Sequence, residues 1–188
     1  MKWIKKCEYG HINSEKKKLL LGTLTMIAIG VAIFVLGLCL NRFDHRNIFT
    51  VVAVLFVLPM ARYLCTLIIL LPYQTPDKKL YELVREQMPK GSVLFSDYVF
   101  TSGERAMGMS FFVLTEHEYI GLLASEKEKQ TKIQDYLSDA LKKRGIPGKV
   151  VLCTNPEEFL TKLRKSEEVT KTEEERQELL DFLRSLAV

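Results

Sequence analysis

The sequence predicts an α-helical membrane hairpin followed by a soluble α+β domain, and three observations support this fold class. Residues 19–40 contain no charged side chain, and residues 48–71 contain a single one, Arg62. A run of about 20 apolar residues is long enough to cross the hydrocarbon core of a bilayer as a helix. After residue 74, strand-like runs alternate with amphipathic helical patterns, which is typical of a sheet covered by helices.

The charge is divided unequally between these two parts. Residues 1–74 carry nine basic and three acidic residues, whereas the remainder carries 18 basic and 20 acidic residues. The basic character of the chain therefore comes from the membrane-proximal part, where lysine and arginine set topology and contact anionic lipid. We expect the lipid bilayer as a partner and no nucleic acid.

Residues 1–18 form a basic N-terminal segment with Trp3 and Tyr9 among six lysines. Aromatic rings and lysines together suit the membrane interface, and a solvated, partly disordered tail is the alternative. The segment does not have the pattern of a cleaved signal peptide. Basic residues flank the hairpin, residues 19–73, on both outer sides, which predicts a multi-pass cell membrane protein with both termini cytoplasmic.

The two predicted spans differ in composition. The first span carries Ala28, Gly30 and Ala32, and small residues of this kind let helices approach closely in lipid. Alanine and glycine are also simply common in membrane helices, so this packing face is a hypothesis. The second span is bulkier and contains Pro59, which predicts a kink.

The soluble part, residues 77–188, begins with a helix and three strands. Asp77 can cap a helix over residues 77–88, which Pro89 and Gly91 end. Runs rich in aromatic and β-branched residues predict strands over residues 92–101, 109–114 and 119–124. The short turn after the second strand predicts a β-hairpin.

A helix, a strand and two further helices complete the predicted domain. Apolar residues recur at helical spacing over residues 129–144, and a buried-type strand follows at residues 149–154. Asn155 and Pro156 begin a helix over residues 156–165, and a capping box at Thr172 begins the last one. The predicted order is αβββαβαα, with one parallel pair in a four-stranded mixed sheet.

Arg62 is the most unusual residue of the hairpin, because it lies near the middle of the second span. An arginine at that depth costs roughly 2.5 to 3.5 kcal/mol on insertion scales, and such charges are typical of functional sites. Neither span contains an acid that could pair with it. We expect self-association or a protein partner that receives Arg62, and snorkelling is the equal alternative.

Candidate catalytic groups are sparse in the soluble part. Glu116 and His117 lie at the turn between two predicted strands, where they could bind a metal or perform acid–base chemistry. A solvated turn is the expected arrangement. Asp97 and Glu104 could pair across the first strand and its loop, but we expect surface carboxylates.

Other sequence features favour no cofactor and no metal site. The four cysteines form no CxxC pair and no Cys/His cluster, and the sequence contains no phosphate-binding glycine loop and no nucleophile motif.

The order of elements over residues 77–154 resembles the core of restriction-endonuclease-like folds. That family places metal-binding acids and a lysine in its second and third strands. The corresponding strands here, residues 110–114 and 119–125, supply none of these groups. The resemblance therefore implies the fold without the nuclease site.

The whole chain is similar to small two-span membrane proteins of Gram-positive anaerobes, some of them labelled O-linked GlcNAc transferase-like. The sequence contains no sugar-nucleotide motif that would support that activity. We expect a bacterial, membrane-anchored, non-enzymatic interaction or scaffold protein. The alternative is a membrane-tethered enzyme acting on nucleic acid or a nucleotide sugar through Asp97, Glu104, Glu116 or His117.

Overall fold

A computed structural model describes residues 7–40, 48–101, 106–125, 129–169 and 173–187. These residues form α1 (His11–Leu40), α2 (Ile48–Leu55), α3 (Val57–Leu70), α4 (Lys78–Gln87), β1 (Val93–Thr101), β2 (Ala106–Leu114), β3 (Glu118–Leu123), α5 (Gln130–Lys143), β4 (Lys149–Cys153), α6 (Pro156–Lys165) and α7 (Glu173–Leu186). The chain divides into two compact units, which we call the hairpin (residues 13–72) and the domain (residues 1–12 and 73–188).

The predicted pair of long apolar helices is confirmed. His11–Leu40 and Ile48–Leu70 are long and apolar enough to cross a membrane, by length and composition. The second helix is interrupted at Phe56, where α2 ends and α3 begins. Pro59 accounts for the interruption, because it lacks an N–H and its ring clashes with the carbonyl four residues earlier.

Contacts inside the hairpin occur where the first helix carries small or basic residues. A Cβ added at Gly22 would lie 3.7 Å from the Tyr63 ring, and one added at Gly30 would lie 3.6 Å from Phe56 Cβ. Lys16 Nζ donates a hydrogen bond to the carbonyl oxygen of Leu71 at 3.0 Å. The lysine thus satisfies an end carbonyl of the second helix, where a positive charge also complements the helix dipole.

The domain contains the predicted four-stranded mixed sheet, in the order β1-β2-β3-β4. β1 pairs with β2 and β2 with β3 in antiparallel fashion, while β3 and β4 are parallel. The α5 crossover supplies the parallel step, as the strand–helix–strand pattern predicts. β2 begins at Ala106, three residues before the predicted start.

Two apolar clusters cover the two faces of the sheet. One cluster contains side chains of α5 and α7, and the other contains side chains of α4 and α6. In β1 both Phe95 and Tyr98 belong to the first cluster, although residues three apart in a regular strand point to opposite faces of the sheet. The alternation of side chains between the two faces therefore shifts by one residue between them. In β2 both Met109 and Phe112 belong to the same cluster, and the pairing of β2 with β3 shifts register between Met109 and Phe111. The matching slips preserve the pairing of β1 with β2.

Both edges of the sheet are partly covered. The amide of Ser96 in β1 donates to the carbonyl oxygen of Cys7 at 3.0 Å, and Phe100 forms an isolated bridge with Ala187. On β4, the side-chain amide of Gln130 donates to the carbonyl oxygen of Leu152 at 2.8 Å. Such coverage protects an edge strand against pairing with another chain. Residues 7–12 therefore belong to the domain, although the last two of them are the first residues of α1.

Candidate functional site

A cleft lies beside the turn that joins β2 to β3. Its volume is about 640 Å³, a size typical of small-molecule and peptide sites. The walls come from that turn, the end of α5, the loop before β4, and α7. The lining residues are Glu116, His117, Tyr119, Arg144, Gly145, Ile146, Pro147, Gly148, Glu178 and Leu179.

The loop before β4 takes its shape from two glycines. Gly145 has φ +70° and follows α5, and its amide donates to the carbonyl oxygen of Lys142 at 3.0 Å. Gly148 has φ +149°, and a Cβ added there would overlap the Tyr119 ring. The Tyr119 hydroxyl donates to the carbonyl oxygen of Pro147 at 2.8 Å. The loop and the tyrosine thus form one wall that only glycine permits.

The cleft carries charges of both signs around a partly apolar floor. The Arg144 guanidinium lies 5.2 Å from the centre of the Phe182 ring, a distance typical of a cation–π contact. Burial, and to a lesser extent the Glu116 carboxylate, raises the pKa of Tyr119 to about 12. The Tyr119 hydroxyl is therefore a neutral hydrogen-bond donor at neutral pH. Glu116, Arg144 and Glu178 give this cleft its mixed charge.

The structure brings two of the sequence-predicted site residues together in this cleft. Glu116 and His117 both line it. His117 is largely exposed, and its Nε2 lies 3.9 Å from Glu167 Oε2. Glu104 lies outside the described residues. Among the residues that are described, no group of three or more His, Cys, Asp or Glu side chains is placed to hold a metal ion.

The expectation that Asp97 is a surface carboxylate is wrong, because the residue is only 2% exposed. Its Oδ2 accepts hydrogen bonds from the Ile12 amide at 3.2 Å and from the Thr75 hydroxyl at 2.9 Å. Asp97 also has φ +54°, at the point where the alternation of β1 slips. Burial raises the pKa of the Asp97 carboxyl, while the hydroxyl of Thr75, the amides of Ile12 and Gly10, and His11 oppose that rise.

The predicted hairpin residues lie on different sides of the first helix. Gly30 contacts the second helix of the hairpin, whereas Ala28 and Ala32 are exposed on α1. Arg62 is exposed on α3, and its carbonyl oxygen accepts a hydrogen bond from the Thr66 hydroxyl at 3.1 Å. The outward face at Ala28 and Ala32 is thus separate from the contact inside the hairpin.

Sequence reasoning missed several residues of these two sites. Tyr119, Arg144 and Glu178 line the cleft but come from three distant elements. The two glycines that flank Ile146 and Pro147 were a usable signal, since they indicate an unusual loop. Residues 7–12 gave no comparable signal, because the surrounding lysines resemble a solvated tail.

Gly148→Ala should destabilise the domain strongly, because the new Cβ would overlap the Tyr119 ring. We expect a loss of about 3 kcal/mol, as for other overpacking changes at strained backbone positions. Gly145→Ala is the matched control, since a Cβ added there meets nothing within 4 Å. It should cost only about 1 kcal/mol, from its left-handed backbone. Chemical denaturation followed by circular dichroism measures both, and equal losses would contradict the overlap.

The raised pKa of Asp97 predicts how the stability of the domain changes with pH. Since the folded state binds the Asp97 proton more tightly than the unfolded chain, its contribution is fully present at acidic pH. That contribution is lost as pH rises through the raised pKa. Relative to Asp97→Asn, the unfolding free energy of the parent should therefore fall between acidic and neutral pH. If the unfolding free energy of the parent instead rises relative to that of Asp97→Asn between acidic and neutral pH, the hydrogen-bond donors outweigh burial in setting the pKa.

Comparison with known proteins identifies no relative of this chain. No family model, no curated protein and no solved structure matches the chain.

Proposed function

We propose that this chain is a membrane-anchored, non-enzymatic interaction protein whose domain docks another protein. The observation that carries the proposal is the exposure of large apolar side chains along both long helices. Leu36, Ile48 and Leu58 are 58%, 72% and 71% exposed. Leaving such a surface in water is unfavourable, and a bilayer removes that cost.

Charge supports a multi-pass arrangement with both termini in the cytoplasm. Lysines precede the first apolar helix, and Lys78, Lys79 and Arg85 follow the second. Basic residues close to a span are retained on the cytoplasmic side. The domain would then lie in the cytoplasm, next to the anionic leaflet.

Cysteine labelling of intact cells tests this topology. In a background without the four native cysteines, an impermeant reagent should label a cysteine placed at Asn47 and not one placed at Ser166. Permeabilised cells supply the control, because both positions should then react. Labelling of position 166 alone in intact cells would contradict the arrangement.

The cleft is the surface that best fits the docking of another protein. It is open and carries charges of both signs beside apolar residues such as Ile146 and Leu179, as the rims and centres of protein interfaces do. Arg144 lies over the Phe182 ring, and this contact favours one position of its charge. Charges at an interface select a partner by electrostatic complementarity.

Charge reversal at the cleft tests docking. Arg144→Glu should reduce co-purification of a stoichiometric partner from native membranes by about tenfold. Lys142→Glu is the matched control, because Lys142 lies near the end of the same helix and does not line the cleft. Equal retention of the partner by both variants would contradict docking at the cleft.

The position of Glu116 and His117 in the cleft favours a second candidate, a membrane-tethered enzyme acting on nucleic acid or a nucleotide sugar. A carboxylate, an imidazole and a guanidinium that line one cleft are groups that acid–base chemistry on a phosphorylated substrate can use. A partner that co-purifies in stoichiometric amount favours the interaction protein. Turnover that Glu116→Gln and His117→Ala both abolish favours the enzyme.

Arg62 supports association within the membrane. An exposed guanidinium on an apolar helix is costly in lipid tails, so a second copy or another protein that receives it would be favoured. The exposed residues Ala28 and Ala32 offer a surface for close helix packing.

Arg62→Leu should still insert into the membrane, because the hydrophobicity of the helix rises. It should lose the native oligomer or partner on gel filtration in detergent. Ile68→Leu is a control on the same helix, and it should elute like the parent. If Arg62→Leu also elutes and co-purifies like the parent, the arginine merely snorkels.

A further inference from the structure

Residues 7–12, which we call the strap, lie at the outer edge of β1. The carbonyl oxygen of Cys7 accepts a hydrogen bond from the Ser96 amide at 3.0 Å, and the Cys7 side chain is 4% exposed within the larger apolar cluster. Tyr9 stacks on Tyr81 of α4, with 4.4 Å between ring centroids. The strap thus covers part of the sheet edge and part of the core.

One oxygen atom of Asp97 binds both the strap and Thr75, a residue of the domain just after the hairpin. Asp97 Oδ2 accepts from the amide of Ile12, the last residue of the strap, at 3.2 Å. It also accepts from the hydroxyl of Thr75, which follows the second apolar helix, at 2.9 Å. The points where the chain leaves the domain and returns to it therefore share one hydrogen-bond acceptor.

The backbone is in an unusual conformation both in the strap and at the residue of β1 that binds it. Asp97 has φ +54° and Cys7 has φ +66°, both in the left-handed region. Non-glycine residues in this conformation are strained, and such strain clusters at switch regions. The carboxylate is also buried, so its charge depends on each donor that remains in place. When one donor moves away, the Asp97 carboxylate is less stabilised, and its hydrogen bond to the other donor becomes weaker.

We propose that the strap is a displaceable cover of the β1 edge, and that Asp97 transmits a movement of Thr75 to it. A change in the spacing of the two hairpin ends would pull Thr75 or Ile12 away from the shared oxygen. The strap would then leave the edge and expose the Ser96 amide and the Cys7 thiol. An exposed edge amide is a pairing point for a strand of another chain.

The thiol of Cys7 reports this release directly. In the full-length protein in detergent, Cys39, Cys65 and Cys153 are replaced by alanine, and the rate of maleimide labelling is measured at fixed pH. Thr75→Val should raise the labelling rate of Cys7 by about tenfold, because it removes a hydrogen bond to a charged acceptor. Thr75→Ser keeps the hydroxyl and should label at the parent rate.

Two further measurements separate release of the strap from general loosening. A second background keeps only Cys153, which is buried in the other apolar cluster, and its labelling rate should not change with Thr75→Val. In an Asp97→Asn background, Thr75→Val should change Cys7 labelling by less than about threefold, because a neutral acceptor binds the hydroxyl more weakly. This cycle isolates the part of the effect that passes through the carboxylate.

Three results would overturn the proposal. Thr75→Val could leave Cys7 labelling at the parent rate, which would mean that the two hairpin ends are not coupled. It could accelerate Cys7 and Cys153 equally, which would mean that the whole domain opens. Its effect could be unchanged with Asn at position 97, which would remove Asp97 as the link.

Discussion

The buried carboxylate of Asp97 is the constraint on which the arrangement of the domain depends. A carboxylate that is 2% exposed needs donors, and donors here come from the backbone at Ile12 and the hydroxyl of Thr75. The Ile12 amide lies in the first turn of α1, where the helix dipole also favours a negative charge. Asp97 in β1 therefore binds two positions of the chain. One is Ile12, at the start of the first apolar helix, and the other is Thr75, which follows the second.

The same residue explains the irregularity of the sheet. The left-handed backbone of Asp97 shifts β1 by one residue, so that Phe95 and Tyr98 both face the larger cluster. The irregularity near Ser110 in β2 makes the matching shift, and the strands stay in register on both sides. A regular strand would turn Tyr98 to the opposite face, and its hydroxyl would lose the hydrogen bond to the Leu183 carbonyl oxygen at 2.9 Å. Packing of α7 thus depends on the slip.

Hydrophobic periodicity and end signals predicted the order of elements because both act over a few residues. The helix at Pro156–Lys165 is an example, since Asn155 caps it in the structure by accepting from the Glu157 amide at 2.9 Å. The strap and the cleft depend instead on contacts between distant positions. Ile12 and Asp97 are 85 residues apart, and Glu178 reaches the cleft from the last helix. No local pattern encodes such a pairing, so Asp97 resembled a surface acid in the sequence.

Asp97 and Arg62 show why an isolated charge can be tolerated for opposite reasons. Asp97 has a short side chain, so donors must be brought to it, and the domain supplies them from the backbone and from Thr75. Arg62 has a long apolar stem, so its guanidinium can be carried to a polar group several ångströms away. Burial of the acid therefore fixes the positions of its neighbours, whereas the exposed arginine can reach polar groups over a range of positions. The first charge constrains the fold, and the second places no comparable constraint on the residues around it.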